Sequence, residues 1–102
     1  MFLVCGEALF DFFSQPDSSG QLNKLGFQAI AGGSPFNVAV GLRRLGVEAG
    51  FFAGLSNDYL GKRLRSVLDN EGVRPDFLVD FDAPTTLAMV AVGADGSPVY
   101  SF

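Results

Sequence analysis

The chain has 102 residues, of which 48% are hydrophobic and 18% are charged, and its net charge is −4. A net negative charge does not favour binding to nucleic acid or to an anionic membrane. One Cys and no His exclude an intramolecular disulfide, a Cys/His zinc site and a His-assisted nucleophile. The apolar content exceeds what a domain of this length readily buries, so we expect a piece of a larger protein or a subunit with a partner.

The first third of the chain alternates between apolar runs and turn residues. Residues 2–5 are apolar on both faces, which predicts a buried strand of a parallel sheet. Residues 8–13 continue as an extended segment in which Asp11 is the single charge, and residues 24–30 form another. No basic segment precedes a long apolar run, and the lone cysteine suits a reducing compartment, so we expect a cytoplasmic protein.

Two helices are predicted in the middle of the chain. The first covers residues 35–45, with Ser34 as its N-cap and Pro35 in its first position. The second covers residues 58–70, with Ser56 or Asn57 as its N-cap.

Further strands follow each helix. Residues 48–54 and 76–81 complete two strand–helix–strand units, which predicts an α/β fold with a parallel sheet and flanking helices. Beyond them, residues 86–93 and 98–102 flank Ala94-Asp95-Gly96-Ser97, which predicts a β-hairpin.

The segment Gly32-Gly33-Ser34 opens the first helix. Backbone amides at a helix N-terminus bind oxygen-rich ligands, and glycines allow such a ligand to approach closely. A plain capped loop explains the same residues, and both interpretations stay open on this segment alone. Asn37, in the first helical turn, is well placed to aim its amide at the same ligand.

Asp11 is the second candidate for ligand binding. Its carboxylate in an apolar segment is costly unless it is paired with donors or lies at a sheet edge. Ligands of parallel α/β sheets bind at the carboxyl ends of strands, and both Asp11 and Gly32–Asn37 fall at that end. Glu7 is a weaker candidate there. The phenylalanines nearby are interpreted as core, with a pocket wall as the alternative; they are Phe10, Phe12, Phe13 and Phe27.

Three motifs occur in order along the chain: Gly6-Glu7-Ala8-Leu9-Phe10-Asp11, Gly32-Gly33-Ser34-Pro35-Phe36-Asn37-Val38-Ala39, and Gly54 with Asn57-Asp58-x-x-Gly61. Together they resemble the N-terminal portion of the ribokinase-like (PfkB-type) carbohydrate kinases, closest to the fructokinase-like branch. The resemblance implies an ATP- and Mg²⁺-dependent transfer of the γ-phosphate to a sugar hydroxyl. By the same resemblance, the sugar-binding positions are Asp11, Gly32, Gly33 and Asn37.

The resemblance also implies a domain organisation. The parallel sheet of a ribokinase-like fold carries a small lid, whose strands correspond to residues 8–30 and 86–102, and such lids often join two subunits into a homodimer. The second family signature, Asp-Thr-x-Gly-Ala-Gly-Asp, which supplies the catalytic base and the ATP site, does not occur in residues 1–102. Phe36 stands where the family usually has a small residue, which predicts a change in pocket shape.

Two hypotheses of function follow. In the first, the chain is the N-terminal segment of a sugar kinase, inactive alone and without its own catalytic residue, ATP or metal. In the second, it is a truncated, non-catalytic remnant that acts as a sugar-binding or lid-type dimerisation module. Neither involves nucleic acid or a membrane.

Overall fold

The fold consists of two β-sheets with two α-helices packed on the first. A computed structural model describes residues 1–16, 19–92 and 96–102. The strands are β1 Phe2–Cys5, β2 Leu9–Ser14, β3 Phe27–Gly32, β4 Ala49–Leu55, β5 Leu78–Asp80, β6 Leu87–Val92 and β7 Pro98–Ser101, and the α-helices are α1 Ser34–Arg44 and α2 Tyr59–Asn70. The predicted strand at 76–81 begins instead with a 3-10 turn, Pro75–Phe77, before β5.

The first sheet is parallel, with the strand order β1-β4-β5. Alternate residues of β4 point to opposite faces, and Ala49, Phe51, Ala53 and Leu55 are all at most 2% exposed. Both α1 and α2 contact β4, and these buried residues lie on the helix side. The predicted α/β fold with a parallel sheet is therefore confirmed.

The opposite face of this sheet carries no α-helix among the described residues, although the ring of Phe77 from the 3-10 turn lies over Gly50. We call it the open face, and it consists of Leu3, Cys5, Phe52 and Val79, all exposed. The prediction that residues 2–5 form a strand is confirmed, but the prediction that this strand is buried is wrong for this chain. Its physical reason is that β1 is an edge strand and both helices pack on the other face.

Helix α1 begins one residue earlier than predicted. Its N-cap is Gly33, and no side chain forms a capping hydrogen bond at this end of the helix. The prediction of Ser34 as N-cap is therefore wrong. The helix ends at Arg44, one residue before the predicted end, and Gly46 follows the C-cap Leu45 with a positive φ of 82°. Arg43 and Arg44 lie in the last turn, where their charges favour the helix dipole.

Helix α2 is capped by Asp58 and not by Ser56 or Asn57. One carboxylate oxygen of Asp58 accepts a hydrogen bond of 2.7 Å from the Gly61 amide. The hydroxyl of Ser56 instead accepts a 3.1 Å hydrogen bond from the backbone amide of Asp58, so Ser56 stabilises the segment that precedes the helix. Asp58 directly precedes Tyr59, the first helical residue, so its side chain and not that of Ser56 or Asn57 reaches the free amides of the first turn.

The second sheet has the strand order β3-β2-β6-β7. Strand β2 is antiparallel to β3 and parallel to β6, while β6 and β7 form the predicted antiparallel hairpin. Within the predicted turn, Ala94 and Asp95 lie outside the described residues, and Gly96 has a φ of +85°. No helix in the described part of the chain is long and apolar enough to cross a membrane.

The hydrophobic core joins the two sheets. Phe10 of β2 is 6% exposed and belongs to the same cluster as Phe51 of β4, which supports the core interpretation for Phe10. Phe12 packs partly against this cluster, and its ring lies 6.5 Å from that of Phe27. Phe27 itself is 37% exposed, because it lies on the edge strand β3.

Candidate functional site

The chain crosses between the two sheets at three places, and the predicted site residues lie at or beside these crossings. The first crossing is residues 6–8, between β1 and β2. The second is Gly33, between β3 and α1, and the third is residues 81–86, between β5 and β6. We call this region the junction. The carboxyl end of strand β1 lies at the junction, and ligands of parallel sheets bind at the carboxyl ends of strands.

Asp11 lies in the interior of the second sheet. It pairs with Ile30 of β3 on one side and with Ala88 of β6 on the other, so the interpretation of Asp11 as a sheet-edge residue is wrong. The side chain is half-buried, and its carboxylate makes no hydrogen bond or ion pair within the described residues. A half-buried carboxylate with its acceptor capacity unused is suited to hydroxyl or amide donors of a ligand.

Gly32 provides the space that this carboxylate occupies. A Cβ atom built on Gly32 would lie 2.5 Å from Oδ2 of Asp11, closer than any real contact of that kind. The absence of a side chain at Gly32 therefore sets the position of the Asp11 carboxylate. The structure thus brings Asp11 and Gly32 together, as the sequence analysis expected.

Gly33 makes the turn from β3 into α1. Its φ of 105° lies in a region that other residues avoid, and a Cβ there would stand 3.1 Å from the carbonyl oxygen of Glu7. The carbonyl of Gly33 accepts a 2.9 Å hydrogen bond from the Asn37 amide, which closes the first helical turn. This turn presents backbone amides that have no intrahelical acceptor.

Asn37 and Glu7 are both exposed. Neither side chain makes a hydrogen bond to another residue in the described ranges. Asn37 stands one turn into α1 beyond Gly33, while the Glu7 carbonyl lies under Gly33 at the first crossing. The side-chain amide of Asn37 is therefore free for a ligand at the start of the helix, whereas its backbone amide is bonded to Gly33.

Phe36 lies in the core. It is 4% exposed, and its ring meets that of Phe51 edge-on, with centroids 6.5 Å apart. The expectation that Phe36 changes the shape of the pocket is not supported, because its side chain points to the helix–sheet interface.

Two cavities adjoin the third crossing. The smaller has a volume of about 270 Å³, and its lining includes Glu7, Ser56, Thr85 and Thr86. The larger, about 370 Å³, is lined by residues 56–58 and 81–84. Among the predicted site residues only Glu7 lines either cavity, so Asp11, Gly32, Gly33 and Asn37 form a separate part of the junction.

Asp58 has a role that its motif did not predict, because its carboxylate also binds Thr85. One carboxylate oxygen accepts from the Thr85 hydroxyl at 2.6 Å, and the other accepts from the Thr85 amide at 2.8 Å. These two bonds and the one from the Gly61 amide lower the pKa of Asp58 to about 2. The spacing Asp58-x-x-Gly61 signalled the cap, but nothing in the sequence pointed to Thr85.

Glu71 follows the last residue of α2 and forms an ion pair with α1. It receives a bidentate interaction from Arg44, at 2.6 and 3.1 Å, and this hydrogen-bonded pair lowers the pKa of the Glu71 carboxyl. The pair ties the C-terminal ends of α1 and α2 together, away from the junction.

Comparison with known proteins identifies the family. The sequence model of the pfkB family of carbohydrate kinases matches residues 1–100. The chain belongs to this family. A fructokinase from Rhizobium leguminosarum bv. trifolii is 35% identical over 102 residues, and one from Solanum tuberosum is 36% identical over 99 residues. The match covers 100% and 95% of this chain, respectively.

Solved structures of the family share the fold. The crystal structure of fructokinase from Xylella fastidiosa superposes with a TM-score of 0.89 and 38% identity over 98% of this chain. This PfkB chain spans only about a third of the proteins it matches: 30% of the Rhizobium fructokinase and 31% of the Xylella one. It corresponds to the N-terminal portion of a ribokinase-like fold.

Proposed function

We propose that this chain supplies the sugar-binding part of a fructokinase-like sugar kinase, which transfers the γ-phosphate of ATP to a sugar hydroxyl when complete. The family and its fructokinase relatives support the reaction class. The observation that carries the proposal is the Asp11 carboxylate, half-buried above Gly32 and without a partner among the described residues.

In this proposal each site residue has a distinct task. Asp11 accepts hydrogen bonds from two sugar hydroxyls, which are charge-assisted and therefore stronger than neutral ones. Asn37 offers both an amide donor and a carbonyl acceptor to another hydroxyl. Gly32 leaves room for the Asp11 carboxylate, and Gly33 makes the turn that presents the first backbone amides of α1 to the sugar.

The ATP side of the reaction is proposed to lie outside residues 1–102. No three Asp, Glu, Cys or His residues come together as metal ligands in the described ranges, and the chain has no Gly-Lys-Ser/Thr phosphate loop. We therefore propose no residue of this chain as a ligand of ATP or Mg²⁺ and derive no step through either. A fructokinase from Xylella fastidiosa with bound ATP supports ATP as the donor for the complete enzyme.

The second sheet is proposed to be a lid that closes over the sugar and joins two subunits. Its strands lie within residues 9–32 and 87–101, close to the expected 8–30 and 86–102, and Asp11 lies within it. On and beside β7, Val99, Tyr100 and Phe102 are 59%, 61% and 85% exposed, which is apolar surface suited to a second copy. The partners in this proposal are a small-molecule sugar and an identical subunit, in the cytoplasm.

The same exposed strand favours the alternative function, a non-catalytic dimerisation module. The length of the translated gene product separates the two, because only a longer product has room for an ATP site. In the longer product, Tyr100→Glu is expected to shift the mass measured by light scattering from dimer to monomer. An unchanged mass contradicts dimerisation through β7.

Sugar binding is tested by calorimetric titration of fructose and ribose into the protein, with Asp11→Ala as the variant. We expect heat of binding in the wild type and its loss in the variant. Equal binding by both proteins contradicts the assignment of Asp11. Binding without ATP consumption by the longer product favours the non-catalytic alternative.

A further inference from the structure

The side chain of Asp58 holds the part of the third crossing that lies next to β6. Within residues 81–86, the Phe81 amide bonds to the Leu55 carbonyl of the first sheet, and the Thr86 carbonyl accepts from Phe10 of the second sheet. Between these two ends, Thr85 is bound by both oxygens of Asp58, at 2.6 and 2.8 Å. Asp58 therefore connects the start of α2 directly to the segment that leads into β6.

The other two crossings are fixed by glycines packed against neighbouring backbone or ring atoms. A Cβ at Gly6 would collide with the ring of Pro35, and one at Gly33 would press on the Glu7 carbonyl. Those crossings lie on the β1 and β3 side of the junction. In the described part of the third crossing such a glycine contact occurs only at the first residue, where a Cβ on Gly54 would lie 3.2 Å from the Cβ atom of Phe81. Nearer to β6, the described residues show the Asp58–Thr85 bonds instead.

Gly61 shows how closely the start of α2 is packed. A Cβ on Gly61 would overlap the carbonyl oxygen of Ser56, so this turn cannot shift without cost. Leu64, one turn later, is 1% exposed and anchors α2 to the core. Asp58 is thus held in a closely packed turn. Its hydrogen bonds to Thr85 restrict the position of the third crossing relative to that turn.

We infer that Asp58 is a positioning residue, which fixes the angle between the two sheets through its hydrogen bonds to Thr85. The angle matters because Asp11 belongs to the second sheet, while Asn37 stands on α1, which packs against the first sheet. A change in the angle changes the position of Asp11 relative to Asn37. This inference goes beyond the proposed function and does not require it, because the angle can be measured without a substrate.

The test measures a distance across the junction. Cys5 on the open face of the first sheet is the only cysteine, and Gln28→Cys places a second one on the exposed strand β3. Spin labels at both positions report the distance between the sheets by pulsed electron resonance, with labelled chain diluted into unlabelled chain to remove intermolecular signals. We expect one narrow distance distribution in this parent.

Asp58→Ser is the decisive variant, because serine caps a helix as well as aspartate but is too short to hold Thr85. We expect loss of the single narrow distribution, with helix content by circular dichroism unchanged. Arg65→Gln is the matched control: it breaks the 2.6 Å bridge from α2 to Asp80 of β5 without touching the crossing, and the narrow distribution is expected to persist.

A folded Asp58→Ser chain with the parental distribution overturns the inference. Should that variant not fold, Thr85→Val decides, since it keeps the cap and the shape of the side chain and removes only the hydroxyl bond. A parental distribution in Thr85→Val then overturns the inference, whereas broadening that Thr85→Ser restores supports it.

Discussion

Gly32→Ala is the sharpest perturbation of the candidate sugar site, because it moves the Asp11 carboxylate without altering its chemistry. The new methyl group would lie 2.5 Å from Oδ2 of Asp11 and 4.0 Å from the nearest backbone atom, the Ile30 carbonyl oxygen. Gly32 does not have a positive φ, so alanine is compatible with its backbone. Only the end of the Asp11 side chain has to yield.

The size of the effect follows from that contact. Ordinary van der Waals contact begins at 3.4 Å, so the Asp11 carboxylate must retreat by about 0.9 Å from its 2.5 Å position. A charge-assisted hydrogen bond of ~2.8 Å to a sugar hydroxyl then stretches to ~3.7 Å, which is no longer a hydrogen bond. Loss of one such bond costs ~1.5–3 kcal/mol, equivalent to a roughly 10- to 150-fold lower kcat/KM for the sugar.

The assay is steady-state kinetics of the complete enzyme, with sugar and ATP varied separately. Asp11→Ala is expected to lower the sugar kcat/KM by about two orders of magnitude or more, and Asp11→Asn by less, since two charge-assisted bonds are lost or weakened. The KM for ATP is expected to stay nearly constant in all three variants.

Gly41→Ala is the matched control for Gly32→Ala. It makes the same substitution in α1, where a Cβ meets nothing within 4 Å, so sugar kinetics are expected to stay at the wild-type level. If Gly32→Ala and Gly41→Ala show the same sugar kcat/KM, the role assigned to Asp11 and Gly32 is refuted.

Three further predictions concern the chain itself. The 102-residue chain is expected to consume no ATP with fructose or ribose and Mg²⁺, and sugar-dependent turnover would contradict this. It is expected to self-associate and to bind a hydrophobic dye through the open face, and both effects are expected to be weaker in Phe52→Lys. A monodisperse monomer by light scattering that binds no dye counts against this prediction. Because folding lowers the pKa of Asp58 from 3.8 to about 2, its stabilisation is complete above pH ~4 and is lost as the pH falls through 2. Urea unfolding from pH 6 to 2 measures this, and an identical pH dependence in Asp58→Asn rules it out.

Local signals in the sequence were sufficient to predict the helices and most strands. Gly46, after two arginines, marked the end of α1 correctly, because a positive φ and the helix dipole act within one turn. The N-cap of α1 was wrong, since Ser34 is a good cap by type but Gly33 alone can adopt a φ of 105° against Glu7. Tertiary packing, which a local pattern does not contain, decided that position.

The candidate site was predicted only in part, because local sequence patterns do not contain tertiary contacts. Asp11 and Gly32 stood out as a charge in an apolar segment and a glycine before a helix, and the structure places them in contact. The link between Asp58 and Thr85 joins residues 27 positions apart, and neither residue type is unusual where it occurs. The burial of strand β1 was also mispredicted, because an apolar strand carries no information about which of its faces is covered.

The parallel pairing of β2 with β6 has a consequence for the order of folding. Phe10 pairs with Leu87, 77 positions later in the sequence, whereas β2 and β3 pair across a short connection. Bringing distant segments together costs chain entropy, so such pairings form late. During synthesis the β2–β3 ribbon has only two strands, which are marginally stable in water, until β6 leaves the ribosome. The carboxylate of Asp11 thus acquires its second neighbouring strand only after both helices have been made.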